Sequence, residues 1–338
     1  ALGEIKGWFD PKNLMNPGKI VRPSKMDDRS LFRYAVGYKS QMPKTVLDWS
    51  EFGGFDKAVE MCNNNGHCRK FDAGTMCPSF RATQDEAHVT RGRANTLRLA
   101  LSGQLGSAGF ASREAHAALD LCVSCKGCKR ECPTGVDMAK MKIEFMHHYT
   151  REHGLKLRER LIAYLPRYAP KLARFSMLGN LYEHIPGYRW LLEKTLGFAR
   201  ERSLPRWGAT YFDESEARPS ESETPAGEVV LLVDTFNRYF EPDNVRAARD
   251  VLEHAGYRVH FARAGSSQRP LCCGRTFLAA GLVDEACVEA QRLVESVVKD
   301  HFDHWLTADP LSAKKLLDHV IEKAEERQRR KDKRRQDK

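Results

Sequence analysis

The sequence predicts a multi-domain α+β chain, mostly helical through its first two thirds and α/β in its last third. Seven of its ten cysteines fall between Cys62 and Cys132, in loops separated by helical stretches. A polar, acidic, Ser- and Pro-rich stretch, DESEARPSESETPAGE, fills positions 213–228 and has the composition of a linker. Beyond it, strand, helix and strand patterns succeed one another at the spacing of a βαβ unit.

Taken in order, residues 1–50 read as irregular, rich in Pro, Gly, Lys and Asn. A helical stretch at about 85–104 carries Leu97, Leu99, Ala100 and Leu101. Ala115, Ala118, Leu119 and Cys122 lead helically into the second cysteine loop. After that loop Asp137 is a good N-cap for a helix striped by Met138, Met141, Phe145 and Tyr149. Residues 155–207 read as further helices punctuated by Pro166, Pro170, Pro186 and Pro205. Past the linker, Val229–Val233 is a continuous apolar strand. Val245, Ala248, Val251, Leu252 and Ala255 form a helical stripe closed by Gly256. Tyr257, Val259 and Phe261 alternate as a second strand, so the sheet is parallel. A helix at about 284–300 follows, striped by Ala286, Ala290, Leu293 and Val297, with Cys287 a small core residue.

The chain of 338 residues is 41% apolar and 30% charged, an ordinary balance for a soluble, cytoplasmic protein. No stretch approaches the ~18 apolar residues of a membrane span, and no basic segment precedes an apolar leader. The N-terminus lacks an initiator Met and begins in mid-pattern, as a fragment does. Of the net charge of +10, the last dozen residues supply +6, from eight Lys/Arg and two Asp. Such an end reads as solvated, with a peripheral contact at the inner membrane face as the alternative. No nucleic-acid motif is present, so nucleic acid is not an expected partner. Without a secretory signal, a reducing compartment is the default, where clustered cysteines bind metal rather than pair.

The cysteines carry the chemistry. CVSCKGCKRECP (122–133) is Cys-x2-Cys-x2-Cys-x3-Cys-Pro, the bacterial ferredoxin-type run. Three thiolates three residues apart let one tight loop offer a sulfur to each of three irons of a [4Fe–4S] cubane. Gly127 is expected to relieve the backbone where it nears the inorganic sulfides. Lys126, Lys129 and Arg130 add a positive field that favours the reduced state. Zinc, which takes four ligands as two separated pairs, has no use for this spacing.

The earlier set, Cys62-x5-Cys68-x8-Cys77-Pro78, is less regular. In two-cluster ferredoxins the Cys before Pro ligates the other cluster. By that logic Cys77 completes a site with Cys122, Cys125 and Cys128. Cys62, Cys68 and Cys132 are left as three ligands for a second site: a [4Fe–4S] completed by a non-cysteine ligand such as His67, a [3Fe–4S], or an empty site. With one cluster only, Cys132 competes with Cys77. Cys272–Cys273–Gly274 follows the second strand, where open α/β sheets gather their ligands. These two cysteines are additional candidates that could bind metal, do thiol chemistry or merely pack.

The stretch CNNNGHCRKFDAGTMCPSFRATQDEAHVTRGRANTLRLAL (62–101), with LDLCVSCKGCKRECPTGVDMAKMK after it, resembles the iron–sulfur half of fused FAD-linked D-2-hydroxyacid dehydrogenases. Bacterial D-2-hydroxyglutarate dehydrogenases are the nearest of these. FDPKNLMNPGKI (9–20) is similar to the end of their FAD-linked oxidase domain. PLCCGRTFLAAGLVDEA (270–286) resembles the cysteine-rich domain of glycolate oxidase iron–sulfur subunits and heterodisulfide reductase.

That resemblance implies the end of an FAD-linked oxidase domain and a connector at 1–50. A helical ferredoxin-like [4Fe–4S] domain follows at 51–212, a linker at 213–228, an incomplete α/β Cys-Cys-Gly domain at 229–315, and a basic tail at 316–338. It implies one or two [4Fe–4S] clusters, and FAD in a missing upstream domain that also carries the hydroxy-acid pocket. Electrons pass from an FAD domain of the same polypeptide, or a flavoprotein subunit, to a quinone or other acceptor. The alternatives are a separate electron-transfer subunit of a glycolate or lactate oxidase complex, or a heterodisulfide-reductase-like redox enzyme. Self-association is compatible with all three.

Overall fold

The computed structural model describes residues 1–32, 34, 36–106, 109–176, 180–181, 185–213, 215–216, 227–264 and 269–302. Most of the expected linker at 213–228, the end of the α/β domain and the basic tail at 316–338 lie outside the described residues. The chain divides into two compact units, 1–141 and the residues from 142 onward.

The first unit opens on a helix, α1 (Leu2–Phe9), where the sequence reads as irregular. Leu2, Ile5 and Phe9 share one face at spacings of three and four, yet no residue of α1 is buried. Helices α2 (Phe55–Glu60), α3 (Pro78–Thr83), α4 (Thr90–Leu101), α5 (Arg113–Asp120) and α6 (Gly127–Glu131) follow, then the start of α7 (Met138–His153). Helix α4 packs on both α2 and α5, and Phe55, Leu97, Ala115 and Leu119 form a core from which water is excluded. It starts later than the sequence suggests, because Glu86–His88 makes its own 3-10 turn, capped by the Asp85 carboxylate on the Ala87 N–H. Ser112 caps α5 through the Ala115 N–H at 3.2 Å. Asp137 caps α7 as expected, accepting from the Lys140 N–H at 3.0 Å.

The second unit holds the remainder of α7, then α8 (Leu157–Ala163), α9 (Leu165–Leu172) and α10 (Tyr188–Leu196). The βαβ unit follows: β1 (Gly227–Leu231), α11 (Thr235–Tyr239), α12 (Pro242–His254) and β2 (Tyr257–Phe261). The two strands pair in parallel with Val229 opposite Val259. Phe212, Val233, Val245, Val259 and Phe261 form the core beneath them. Helices α13 (Arg275–Ala279) and α14 (Val283–Phe302) complete the unit. No described helix is long and apolar enough to cross a membrane.

Two expectations are corrected here. Pro170 lies inside α9 rather than ending it, and Pro166 sits in its first turn, where no N–H is missed. On α14 the inward stripe runs through Val283, Ala286 and Glu289, whereas Ala290 and Cys287 are exposed. A charged residue occupies the buried position, its carboxylate held by Arg269 and Arg292. The buried stripe therefore shares Ala286 with the apolar pattern but takes Glu289 in place of Ala290, and Cys287 is a surface thiol.

Candidate iron–sulfur site

All seven cysteines from Cys62 to Cys132 belong to the first unit. The loop CNNNGHC is folded by its own asparagines. Asn63 Oδ1 accepts from the Asn65 N–H at 3.2 Å, and Asn65 Oδ1 from the His67 N–H at 2.8 Å. Asn64, in the left-handed region at φ 64°, accepts from Asn95 Nδ2 at 2.8 Å. That bond ties the loop to α4. Cys62 and Cys68 are buried, and Cys77 and Cys62 are close enough to Cys68 to oppose its ionisation. His67 is half-buried and begins a 3-10 turn, His67–Arg69.

In the second loop the left-handed positions are Ser124 (φ 53°) and Lys126 (φ 59°), not Gly127. Gly127 meets a close neighbour on the protein side as well. A Cβ there would stand 2.8 Å from Thr75 Oγ1 and 3.3 Å from the Met76 nitrogen. The glycine thus lets the second loop lie against the segment that leads into Cys77. Glu131 fastens the same contact. Its carboxylate accepts from the Thr75 N–H at 2.7 Å, the Thr75 hydroxyl at 2.8 Å and the Met76 N–H at 3.1 Å. These bonds favour the ionised form and hold Glu131 down to about pKa 2.

With the two segments clamped, Cys77, Cys122, Cys125 and Cys128 line one cleft. Cys132 does not line it; its sulfur lies 3.3 Å from Thr134 Oγ1. Among the described residues no group of three or more His, Cys, Asp or Glu side chains closes round a single metal ion. A cubane asks for a wider set, because each cysteine binds its own iron. Four thiols from two loops round one cleft suit that donor set.

The electrostatics also suit an anionic group. Two helix N-termini face the cysteines. The Arg91 N–H, in the first turn of α4, points at Cys68, and the Met138 N–H, opening α7, points at Cys128. Thr90 Oγ1 lies 3.2 Å from Cys77 Sγ. Burial outweighs these donors for the free thiols, raising Cys68 and pushing Cys128 up to about 11. Ligation would therefore release protons as it supplies positive charge. Arg93, only 1% exposed, donates from Nη1 to Cys77 Sγ at 3.8 Å. Sequence reasoning missed Thr90, Arg93 and Glu131, for no pattern separates a buried arginine or a loop-clamping glutamate from a surface one.

Cys272 and Cys273 lie in the second unit. Gly274 there has φ +74°, and a Cβ on it would meet the Ala286 carbonyl at 2.8 Å, so only glycine follows the cysteine pair. Cys272 is buried and Cys273 exposed. Just beyond the carboxyl end of β1, Thr235 hydrogen-bonds Cys272, while the Asp234 carboxylate, which caps the next helix, opposes negative charge on Cys273. Cys272 donates its thiol proton towards Cys273, raising its own pKa and bringing Cys273 down to about 6.

A helical domain with two cysteine loops round one cleft fits a domain that holds an iron–sulfur cluster. Residues 58–136 match the family described as 4Fe-4S dicluster domain. Over most of its length the chain is similar to D-2-hydroxyglutarate dehydrogenases. It is 28% identical to that of Pseudomonas putida over 319 residues, covering 80% of this chain and 31% of that protein. It is 25% identical to that of Escherichia coli, covering 79% and 31%. The chain thus spans less than a third of the length of these curated relatives, and it resembles their iron–sulfur part. A separate, short similarity is to a DNA topoisomerase 4 polypeptide of Bartonella bacilliformis, 58% identical over 45 residues but only 6% of that protein. No solved structure matches.

Proposed function

We propose that this chain is the iron–sulfur electron-transfer portion of an FAD-dependent D-2-hydroxyacid dehydrogenase, with D-2-hydroxyglutarate the favoured substrate. The observation that carries the reading is the cleft lined by Cys77, Cys122, Cys125 and Cys128. A [4Fe–4S] cluster held there supplies one-electron transfer. Glu131 and Gly127 keep the two ligand-bearing segments together, and the N-termini of α4 and α7 favour negative charge beside them. Cys62, Cys68 and Cys132 are the candidates for a second cluster. The flavin and the hydroxy-acid pocket belong to the part of the relatives that this chain does not cover. Electrons would leave for a quinone or another acceptor, and Cys272 and Cys273 are the candidates for binding a further metal or meeting that acceptor.

Purified without oxygen, the chain is expected to be brown, with equal amounts of iron and acid-labile sulfide, about four or eight per chain. Stoichiometric zinc without labile sulfide overturns the reading. A flavin tightly bound by this chain alone would move the proposed domain boundary.

A further inference from the structure

We propose that Arg93 is the buried counter-charge of the cluster held by Cys77, Cys122, Cys125 and Cys128, and that it sets that cluster's reduction potential. The inference rests on the iron–sulfur reading of the cleft. It starts from an arginine without a carboxylate. Arg93 is 1% exposed on α4, and its guanidinium has three partners. Nε donates to the Ala118 carbonyl at 2.8 Å, Nη2 to Ser79 Oγ at 2.9 Å and Nη1 to Cys77 Sγ at 3.8 Å. Among the described residues no Asp or Glu forms an ion pair with it.

A guanidinium keeps its proton in proteins, so it cannot escape burial by becoming neutral. Buried charges are paired or they are costly. The Ala118 carbonyl and the Ser79 hydroxyl offer dipoles only. The one partner able to carry negative charge is the Cys77 sulfur, and it does so as a thiolate bound to iron. The missing anion is therefore the cluster itself. Reduction adds a further negative charge to the cluster. A fixed cation in contact with one of its sulfurs favours the reduced form and raises the potential.

Three variants of the full chain test this: R93Q, R93K and S79D. Each is reconstituted anaerobically, assayed for iron and labile sulfide, and titrated by EPR-monitored reduction. The signal followed is the one that C77S removes. Glutamine keeps a donor near the Ala118 carbonyl but removes the charge. R93Q is expected to lose at least tenfold in its preference for the reduced state, about 59 mV for one electron. R93K retains the charge and stays near the wild-type midpoint. S79D keeps Arg93 but places a carboxylate beside Nη2, and it lowers the midpoint in the same direction.

If R93Q fails to assemble a cluster, S79D decides the matter. Full iron content with a wild-type midpoint in the charge-altered variants overturns the role of Arg93 and returns it to packing. An unmodified chain that takes up no iron and sulfide refutes the underlying reading instead, so the two failures are told apart.

Discussion

The contact at Gly127 offers a test of the cleft that separates its geometry from general stability. In Gly127→Ala the new Cβ stands 2.8 Å from Thr75 Oγ1 and 3.3 Å from both the Thr75 carbonyl carbon and the Met76 nitrogen. Thr75 cannot rotate aside freely, because its hydroxyl and N–H are both engaged by Glu131. The two segments must part, and Cys77 and Cys128 sit one residue beyond the contact on either side. Overpacking of this kind costs about 1–3 kcal/mol. Gly135→Ala is the control. That glycine has φ +67° with nothing within 4 Å of its Cβ position, so the cost there is about 1–2 kcal/mol of left-handed strain. The two variants are thus similarly destabilised in urea, followed by far-UV circular dichroism. Iron and labile sulfide per chain should drop in Gly127→Ala and hold in Gly135→Ala. Full cluster content in Gly127→Ala, at either stability, refutes the claim that this contact positions the ligands.

Other outcomes follow from the same geometry. Cys77→Ser should remove about four of about eight irons if two cubanes are present, damaging the cluster of Cys122, Cys125 and Cys128. Cys132→Ser should spare that cluster, and iron analysis with EPR reverses the assignment if only Cys132→Ser abolishes it. Glu131 has a pKa lowered from 4.5 to about 2, so its stabilising effect is complete above pH 4.5 and lost as pH falls towards 2. Glu131→Gln should melt lower than wild type at pH 7, with the gap closing over that window in the cluster-free chain; a constant gap argues that the clamp is not ionic. Cys273, lowered to about 6 by the Cys272 thiol, should be alkylated by iodoacetamide at pH 7. Cys272→Ala should slow that labelling roughly tenfold as Cys273 returns towards the ordinary thiol range near 8.5. Mass spectrometry showing equal rates would remove the coupling.

That Cys77 would come beside Cys122, Cys125 and Cys128 was legible because cysteine spacing is a covalent fact. A tight loop with sulfurs three residues apart, and a proline that turns the fourth away, constrains where the sulfurs go. The βαβ unit was legible for a similar reason, since Val259 and Phe261 alternate and the helical stripe ends at Gly256, which has φ +84°. What failed to show was anything depending on a charged residue turned inward. Glu289 is fully buried yet reads as the polar face of α14, which shifted the apparent stripe and put Cys287 in the core. Gly127 was legible as a place of close backbone approach, but the neighbour it meets here, Thr75, lies 52 residues away in sequence and left no local signal.

The same blindness bears on which cations matter at the cluster. Lys126, Lys129 and Arg130 lie within the ligand loop and are the obvious source of a positive field, yet all three are exposed. Lys129 also lies 3.6 Å from the Asp137 carboxylate, so part of its charge is answered locally. Charges in contact with solvent are screened within about 10 Å at moderate salt. Two unit charges 4 Å apart interact by about 1 kcal/mol in bulk water and about 4 kcal/mol at an effective dielectric constant of 20. Arg93 is in the second regime, since it is buried and donates to a ligand sulfur. A single arginine 29 residues before the ferredoxin-type run should therefore outweigh the three basic residues inside it. Salt distinguishes the two sources. Raising ionic strength weakens the contribution of the exposed residues and leaves that of Arg93, so the midpoint difference between wild type and R93Q should persist in high salt. A difference that vanishes with salt would assign the field to the exposed loop.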